Sequence, residues 1–433
     1  MIDLEDLRKR PEAYAEAARK KGLNVDVKGF LKLDELRREL LRLVEDMRAK
    51  KNSVSKRVPG MKAIEKQEAI AEMKKLDTEL AEKEQELQHT EDAWGEMQLQ
   101  LPTIPLPTVP VGKDPSANCE THRWGEPPQF RFEPKDHVAL GTALDIIDIP
   151  RGVKVAGARS YFLKGDGARL HLAILRLTLD HLLQKRWTLL SPPVMAESQF
   201  LMGSGFFPGA EEQTYALGVV RRIGDPIESD TLYLIGTSEI SLMGYHAEET
   251  LDVAELPKRY CGLSLCFRRE AGTYGKDTHG LYRIHQFEKI EQVVLCEADQ
   301  EKALALFEEI RGNAEEVLQA LKLPYRVVDI CTGEMGRGKV YMQDIETWMP
   351  SRKSYGETHS CSYLGDFQTR RLGIRYKDHD GAKKFAHSLN NTCIASPRIL
   401  ISLLEICQNE DGSITIPEVL KPYMGGQELI TSR

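Results

Sequence analysis

Long hydrophobic runs, CxxC cysteine pairs and an excess of basic residues are all missing from this chain of 433 residues. Without a stretch of about 20 consecutive apolar residues, no membrane-spanning helix is predicted. The first residues are acidic and amphipathic, unlike those of a signal or transit peptide. The net charge is −7, so contact with a nucleic acid must depend on a local basic patch.

Zinc-ribbon and redox sites are also disfavoured, because the eight cysteines are scattered along the chain. A reduced cytoplasmic protein is the simplest expectation. The motifs GxGxxG and GxxxxGK[ST] do not occur in the sequence, which argues against Rossmann and P-loop nucleotide sites. What is present is a hydrophobic content of 41%, enough for a real core, in a length that allows about two or three domains.

Residues 30–97 carry two heptad stripes separated by a Pro-Gly break. Apolar residues recur at steps of three and four over 33–54, and the pattern resumes over 73–94. Val58, Pro59 and Gly60 between them stop the first helix. The pattern predicts an antiparallel two-helix coiled coil.

Basic residues cluster where this coiled coil turns back, and no acidic residue lies between Lys50 and Arg57. A basic tip on a long rod suits a phosphate backbone read by shape and charge. A solvated coiled coil used for dimerisation is the alternative. The residues predicted to contact a nucleic acid are Lys50, Lys51, Lys56, Arg57 and Lys62.

A stiff, proline-rich linker follows the coiled coil and marks a domain boundary. We predict a helical arm at 1–100, a linker at 101–118 and a second domain at 119–433. The prolines of the linker are Pro102, Pro105, Pro107, Pro110 and Pro115.

Two apolar runs, 260–267 and 290–295, flank a loop that contains Gly272, Gly275 and Gly280. Each run has about the length of one buried strand, and the glycines indicate a chain that turns back on itself. The stretch therefore predicts two antiparallel strands joined by a long loop.

Charged side chains concentrate on this strand pair. Because strand residues two apart share a face, we expect Arg268 to project with Glu270, and Lys289 with Glu291. Cations beside fixed carboxylates suit a ligand that carries both a phosphate and an amine. A surface hairpin with ordinary ion pairs is the alternative.

A second acidic cluster lies within residues 341–371. Asp344 and Glu346 are two apart on one predicted strand, and Glu357 precedes Ser360 by three residues. Carboxylate and hydroxyl oxygens are ligands that magnesium prefers. Salt bridges are the alternative for the acidic pair, and a transition-metal site at His359 is less favoured.

The strand pair carries a resemblance to a known family. The residues Phe267 to Glu270, with Arg283 and the following HQFEKIE, resemble motif 2 of class II aminoacyl-tRNA synthetases, in detail that of seryl-tRNA synthetases. A helix, strand and proline over 168–193 resemble motif 1, and Arg398 lies in a stretch similar to motif 3. Arm, linker, motifs and C-terminus follow the family's order, so the resemblance covers nearly the whole chain.

The resemblance implies an α+β fold. An N-terminal antiparallel α-helical coiled-coil hairpin is expected to grip tRNA(Ser), with tRNA(Sec) as a further candidate. A class II catalytic domain, built on an antiparallel sheet flanked by helices, is expected to form a homodimer with Pro193 at the interface.

The resemblance also implies the roles of individual side chains. The residues expected to bind serine are Thr237, Ser238, Glu239, Arg268, Glu291 and Thr392. Those expected to bind ATP are Arg268, Arg269, Glu270, Ile284, Phe287, Glu357, Thr358, His359, Ser360 and Arg398. Mg²⁺ is expected at Glu357 and Ser360. Ser238 and Arg269 depart from the family, which usually has Ala and a small residue there.

The implied activity is that of an ATP-dependent ligase that activates L-serine as seryl-adenylate and transfers the seryl group to tRNA. Two alternatives are a related protein that only binds tRNA, and one that charges a carrier other than tRNA. Intact Arg268, Glu291, Glu357 and Arg398 argue against the first, and the basic-tipped arm argues against the second.

Overall fold

The computed structural model describes residues 1–60, 62–219, 228–272 and 279–432. The chain divides into two compact units, Met1–Ile104 and Pro105–Arg433. Lys276 and Gly275 of the predicted loop lie outside the described residues.

The first unit contains the predicted helical hairpin. Its helices are α1 (Leu4–Lys9), α2 (Pro11–Lys20), α3 (Val27–Arg57) and α4 (Ala63–Gln100). A short 3₁₀ turn at Val58–Gly60 follows α3, where proline interrupts the helical hydrogen bonds.

Pairing between α3 and α4 is antiparallel. Arg37 lies opposite Glu91, with Nη2 to Oε1 at 2.9 Å. Further along α3, Lys51 lies opposite Asp77, with Nζ to Oδ1 at 2.7 Å. The buried seam between the two helices consists of Leu40, Val44, Leu80 and Leu87, which confirms the predicted hairpin. Leu36 and Leu43 of the predicted apolar stripe are instead 41% exposed, because Val44 rather than Leu43 turns towards the partner helix.

The second unit is organised around an eight-stranded sheet in the order β1-β11-β12-β13-β16-β10-β9-β4. Its pairs are antiparallel except β4 with β9. The strands of this sheet are β1 (Cys119–Trp124), β4 (Thr188–Leu190), β9 (Lys258–Phe267), β10 (Gln286–Cys296), β11 (Tyr325–Asp329), β12 (Tyr341–Met349), β13 (Ser354–Gly365) and β16 (His387–Ser396). The predicted strand pair is thus β9 and β10.

Smaller sheets surround this one, in the orders β15-β14-β8, β5-β7-β6, β2-β3 and β17-β18. Their strands are β2 (Ile147–Asp148), β3 (Phe162–Leu163), β5 (Met195–Glu197), β6 (Tyr215–Val219), β7 (Glu228–Leu234), β8 (Thr250–Asp252), β14 (Arg375–Lys377), β15 (Lys383–Phe385), β17 (Ile414–Thr415) and β18 (Leu429–Ile430).

Helices of the second unit flank the sheets. They are α5 (His137–Ala143), α6 (Ile149–Ala156), α7 (Asp166–Gln184), α8 (Ser198–Ser204), α9 (Glu239–Gly244), α10 (Gln300–Ala320), α11 (Phe367–Leu372) and α12 (Arg398–Ile406). No helix in the described ranges is long and apolar enough to cross a membrane.

Alternation along β10 explains how one strand serves both the core and a site. Successive residues of a strand face opposite sides of the sheet. Ile290 and Val294 pack in the main core with Phe307 of α10 and Ile174 of α7. Lys289, Glu291 and Val293 face the other way, whereas Gln292 shares the core face with Ile290 and Val294. The sheet therefore has one face covered by helices and another that can carry polar side chains.

Candidate active site

A cavity of about 360 Å³ lies in the second unit. Its wall includes the loop after β9, the strands β10, β13 and β16, and the first residue of α12. The wall contains most of the residues that were expected to bind serine, ATP or magnesium. Those are Thr237, Glu239, Arg268, Glu270, Ile284, Phe287, Glu291, Glu357, Thr358, His359, Ser360, Thr392 and Arg398.

Two of the expected residues do not line the cavity. Ser238 is fully buried at the N-cap of α9, and its hydroxyl has no hydrogen-bond partner among the described residues. Arg269 is exposed, and its backbone N–H donates to the carbonyl of Gln213 at 2.9 Å. Ser238 and Arg269 are therefore not part of the cavity wall, and their expected contacts with serine and ATP stay predictions.

At one end of the cavity, a lysine ammonium is surrounded by three residues expected to hold serine. Lys289 is ion-paired with Glu291. Its Nζ also donates to Thr237 Oγ1 at 2.7 Å and to Thr392 Oγ1 at 3.4 Å. Lys289 and Glu291 are two apart on β10, so the predicted shared face is confirmed. This group is built to hold an ammonium ion.

Glu239 lies at the same end, at the start of α9. Its Oε1 accepts hydrogen bonds from Gln368 at 2.6 Å and from Asn390 at 2.7 Å. Burial, reinforced by the negative charge of Glu291, raises the pKa of Glu239 to about 7. This carboxyl group therefore changes its charge near neutral pH.

Arg268 and Glu270 form a second part of the wall. Strand β9 ends at Phe267, so the strand alternation used to pair these two residues does not reach them. Glu270 instead has a positive φ of 50° and is buried, and Arg283 Nη1 donates to its Oε2 at 3.3 Å. A non-glycine residue in this region is uncommon and often marks a functional turn. Both side chains nevertheless line the cavity.

Aromatic faces lie beside the arginines of the cavity. The Arg268 guanidinium is 5.3 Å from the ring centroid of Phe287. That of Arg398 is 4.6 Å from the ring centroid of Tyr282, and its Nη1 donates to the Glu357 carbonyl at 3.1 Å. Because Arg398 is the first residue of α12, its position at a helix start is as predicted. The wall thus combines planar cations with flat apolar surfaces.

The acidic cluster separates into a buried and a paired residue. A bulge at Thr358 of β13 interrupts the pairing of this strand with β12, between Ile345 and Glu346. Asp344 lies opposite Ser360 and is buried, and its pKa is raised well above the usual range by burial and by the charge of Glu357. Glu346 instead accepts a hydrogen bond from Arg326 at 2.6 Å. The salt-bridge alternative therefore holds for Glu346 alone.

Oxygen ligands for magnesium are present in this part of the wall. Glu357 and Ser360 line the cavity, and Asp344 Oδ1 has no hydrogen-bond partner among the described residues. Within those residues, no group of three or more His, Cys, Asp or Glu side chains is arranged to hold a metal ion. Burial lowers the pKa of His359 to about 3, so its ring stays neutral. A small number of protein oxygens is enough for magnesium, because this ion keeps water and phosphate oxygens as its other ligands.

Sequence reasoning did not assign several residues of the wall. Lys289 was recognised as part of a charged strand, but no role followed from its spacing. Tyr282, Lys339 and Asn390 also line the cavity. Asn390 could have been found, because it lies two residues before Thr392 on β16 and so shares its face.

The predicted basic tip of the arm is partly neutralised within the arm itself. Lys50 Nζ lies 3.2 Å from Glu72 Oε1, and Lys51 is paired with Asp77. Lys56 and Arg57 are exposed and form no ion pair within the part of the chain that the structure describes. Lys62 is also exposed, and its backbone N–H donates to Glu65 Oε2 at 3.3 Å.

Pro193 lies on the surface, between β4 and β5, and its carbonyl accepts a hydrogen bond from Ser241 at 2.7 Å. Apolar side chains are exposed on the preceding elements, including Leu189 of the edge strand β4 and Leu172 of α7. Further along the chain, β6 and β7 pair antiparallel, and residues 220–227 between them lie outside the described residues.

Comparison with known families identifies both parts of the chain. Residues 1–105 match the seryl-tRNA synthetase N-terminal domain, and residues 223–407 match the tRNA synthetase class II core domain (G, H, P, S and T).

Individual relatives agree over the full length. A serine–tRNA ligase of Deinococcus radiodurans is 46% identical and aligns over 99% of each chain. The seryl-tRNA synthetase of Pyrococcus horikoshii, solved with ATP, has a TM-score of 0.88, 35% identity and 100% coverage of both chains. A cytoplasmic serine–tRNA ligase of Naegleria fowleri, solved with AMP, has a TM-score of 0.82 and 32% identity over 98% of this chain and 96% of the other.

Proposed function

The chain belongs to the serine–tRNA ligases, or seryl-tRNA synthetases, and on that premise we propose how its cavity and arm divide the reaction. The cavity activates L-serine with ATP. The arm binds tRNA(Ser), which accepts the seryl group. The full-length relatives favour this function over a protein that only binds tRNA or that charges another carrier.

The reaction has two displacement steps. An oxygen of the serine carboxylate attacks the α-phosphorus of ATP, the bond from that phosphorus to the β-phosphate oxygen breaks, and pyrophosphate leaves. A terminal ribose hydroxyl of tRNA then attacks the carbonyl carbon of seryl-adenylate and loses its proton, and AMP leaves. Neither step needs covalent chemistry from the protein, so positioning and charge stabilisation must supply the acceleration.

The observation that carries this proposal is that one cavity combines an ammonium-binding group with planar arginines. Glu291, Thr237 and Thr392 already hold a lysine ammonium. Arg268 and Arg398 lie on the same cavity wall. Such a wall suits two ligands together, an amino acid and a nucleoside triphosphate.

ATP is assigned to the part of the wall with arginines and aromatic rings. Arg268 binds the α-phosphate and the serine carboxylate, and Arg398 binds the γ-phosphate. The helix dipole at the start of α12 adds to the attraction of an anion. Phe287 stacks on adenine near the backbone of Ile284. Glu270, Thr358 and His359 complete the ATP site.

Magnesium fits the oxygen atoms of Glu357 and Ser360, with Asp344 behind them. The unpaired Oδ1 of the buried Asp344 supports a cation in this place. When bound, the ion neutralises phosphate charge. The hydroxyl of Ser360 orients the phosphates. Glu357 and Ser360 leave the other coordination positions of the ion to water.

Serine selectivity follows from hydrogen bonding of its hydroxyl. Thr392 Oγ1 lies 3.4 Å from Glu291 Oε2 and can turn to a substrate hydroxyl. Alanine lacks that hydroxyl and would leave these buried groups unpaired, which is a strong ground for rejection. Threonine must be rejected by the limited space around Thr392.

We assign the arm to binding of the acceptor tRNA, and a surface of the second unit to association with a second copy of the chain. Exposed Lys56 and Arg57, together with Lys50, Lys51 and Lys62, contact the phosphate backbone. Two copies associate through the surface that includes Pro193 and the exposed Leu172 and Leu189. The cytoplasm is the expected location of this tRNA charging.

Serine-dependent ATP–pyrophosphate exchange tests the proposed function. We expect exchange with serine and at most about 1% of that rate with alanine, threonine or glycine. Exchange with serine, followed by charging of tRNA(Ser), is the predicted result. A folded protein that gives no exchange with any amino acid would contradict the proposal.

A further inference from the structure

Lys289 occupies the place that the proposed function gives to the serine ammonium. Its Nζ contacts Glu291, Thr237 and Thr392, the three residues assigned to the amine and hydroxyl of serine. Lys289 is 5% exposed and Glu291 is 2% exposed, so this charge pair is shielded from water. The sequence alone did not assign a role to Lys289.

Charge balance gives a reason for a lysine here. Two buried carboxyl groups, Glu239 and Glu291, repel each other at this end of the cavity. Of the cations, Lys289 does more than Lys339 to favour the ionised form of Glu239. Two buried carboxylates without a cation take up a proton.

The thiols of Cys266, Cys361 and Cys393 lie close enough to Glu291 to sense its charge, although Cys361 and Cys393 belong to the main core on the other face of the sheet. Burial raises the pKa of each of these thiols, so they are neutral at physiological pH. Lys289 is therefore the cation that directly balances the charge of Glu291.

We propose that Lys289 is a positioning residue for serine. Before the substrate binds, its ammonium holds Glu291, Thr237 and Thr392 in the arrangement that receives the serine amine, and its charge keeps the two carboxylates ready for a second cation. When serine binds, its ammonium takes over these contacts and the flexible lysine withdraws from them. This inference rests on the proposed function of the cavity and deepens it.

The variant Lys289→Met removes the charge and keeps most of the volume. We expect the KM for serine in ATP–pyrophosphate exchange to rise about 100-fold at pH 7, because serine must now displace a proton from the carboxylate pair. The increase shrinks as the pH is raised from 6 to 9. The KM for ATP changes less than about threefold, since no ATP-site contact is lost.

Two further variants separate charge from packing. Lys289→Arg keeps the charge and is expected to show the pH profile of the wild type. In the double variant Glu239→Gln/Lys289→Met, one carboxylate is removed together with the cation. Its KM for serine is expected to lie within about tenfold of that of Glu239→Gln alone, because the remaining carboxylate no longer faces a like charge.

Failure of the inference and failure of the proposed function look different. Wild-type protein without serine-dependent exchange would reject the function. Normal wild-type exchange, with a Lys289→Met effect that is absent or equal at every pH, would reject only the role of Lys289. If Lys289→Met does not fold, recovery of folding in the Glu239→Gln/Lys289→Met variant supports the inference, and no recovery overturns it.

Discussion

Oppositely charged side chains pair in both units of this protein, but their surroundings differ. On the arm, the side chains of Lys51 and Asp77 are 40% and 47% exposed. In the cavity, those of Lys289 and Glu291 are 6% and 2% exposed. Water and salt screen the first pair, whereas the second lies where charge is expensive and interactions are strong.

This difference suits the tasks proposed for the arm and the cavity. A tRNA backbone is recognised by exposed cations, which must stay hydrated and mobile until the nucleic acid arrives. A small amino acid must be selected by groups that are already fixed and dehydrated. The arm therefore depends on its helical seam for structure, and the cavity depends on its charges for both structure and binding.

The largest effect is expected for Glu291→Gln. Loss of this carboxylate removes the partner of the serine ammonium in a buried site, so kcat/KM for serine activation should fall about 10³-fold. ATP–pyrophosphate exchange measures it.

Glu288→Gln is the matched control for this variant. Glu288 is the third residue of β10 and does not line the cavity. Its variant should retain activity within about threefold. Equal loss in both variants would mean that the strand, rather than the Glu291 carboxylate, had been disturbed.

An intermediate effect is expected on stability in Glu239→Gln. Because the pKa of Glu239 rises from 4.5 to about 7 on folding, the wild type loses stability as the pH increases through this range. The amide avoids that cost while still accepting from Gln368 and Asn390. The variant should exceed the wild type in free energy of unfolding by about 3 kcal/mol at pH 8 and by about 1 kcal/mol at pH 5.

Urea unfolding at the two pH values measures this difference. A gain that is the same at pH 5 and pH 8 would show that Glu239 does not titrate near neutrality. A loss at pH 8 would show that its charge stabilises the fold.

The smallest effect is expected for Asp77→Asn on the arm. An exposed pair contributes little, so the free energy of unfolding should fall by less than about 1 kcal/mol and by less still at high salt. Thermal unfolding at low and high salt measures it. A loss of several kcal/mol would remove the distinction between the two regions.

Much of the fold could be predicted, because its main elements have strong local signals. The heptads of α3 and α4 and the break at Pro59 specify a helical hairpin. The apolar runs that became β9 and β10 are nearly continuous, which is typical of a buried strand pair. The strand order of the large sheet was not predicted, since it joins segments that are distant in the chain.

The cavity was predicted through family resemblance and only in part from physics. Spacing could place Lys289 beside Glu291, but not show that the ammonium reaches Thr237 and Thr392. The positive φ of Glu270 and the bulge at Thr358 are local departures from regular strands, so counting residues fails there. Burial, which separates Asp344 from Glu346, depends on the packed sheet and has no sequence signal of its own.

The most direct test of the proposed division between tRNA binding by the arm and serine activation in the cavity uses the variant Lys56→Glu/Arg57→Glu. Both activities are measured in one preparation of this variant. The control is Lys377→Glu/Lys383→Glu, which makes the same charge change at two exposed lysines of β14 and β15. We expect the arm variant to keep its serine-dependent ATP–pyrophosphate exchange and to lose about 100-fold in kcat/KM for charging tRNA(Ser), with a weaker salt dependence. The control should keep both activities. Unchanged charging by the arm variant, or an equal fall in exchange, would contradict the proposed division.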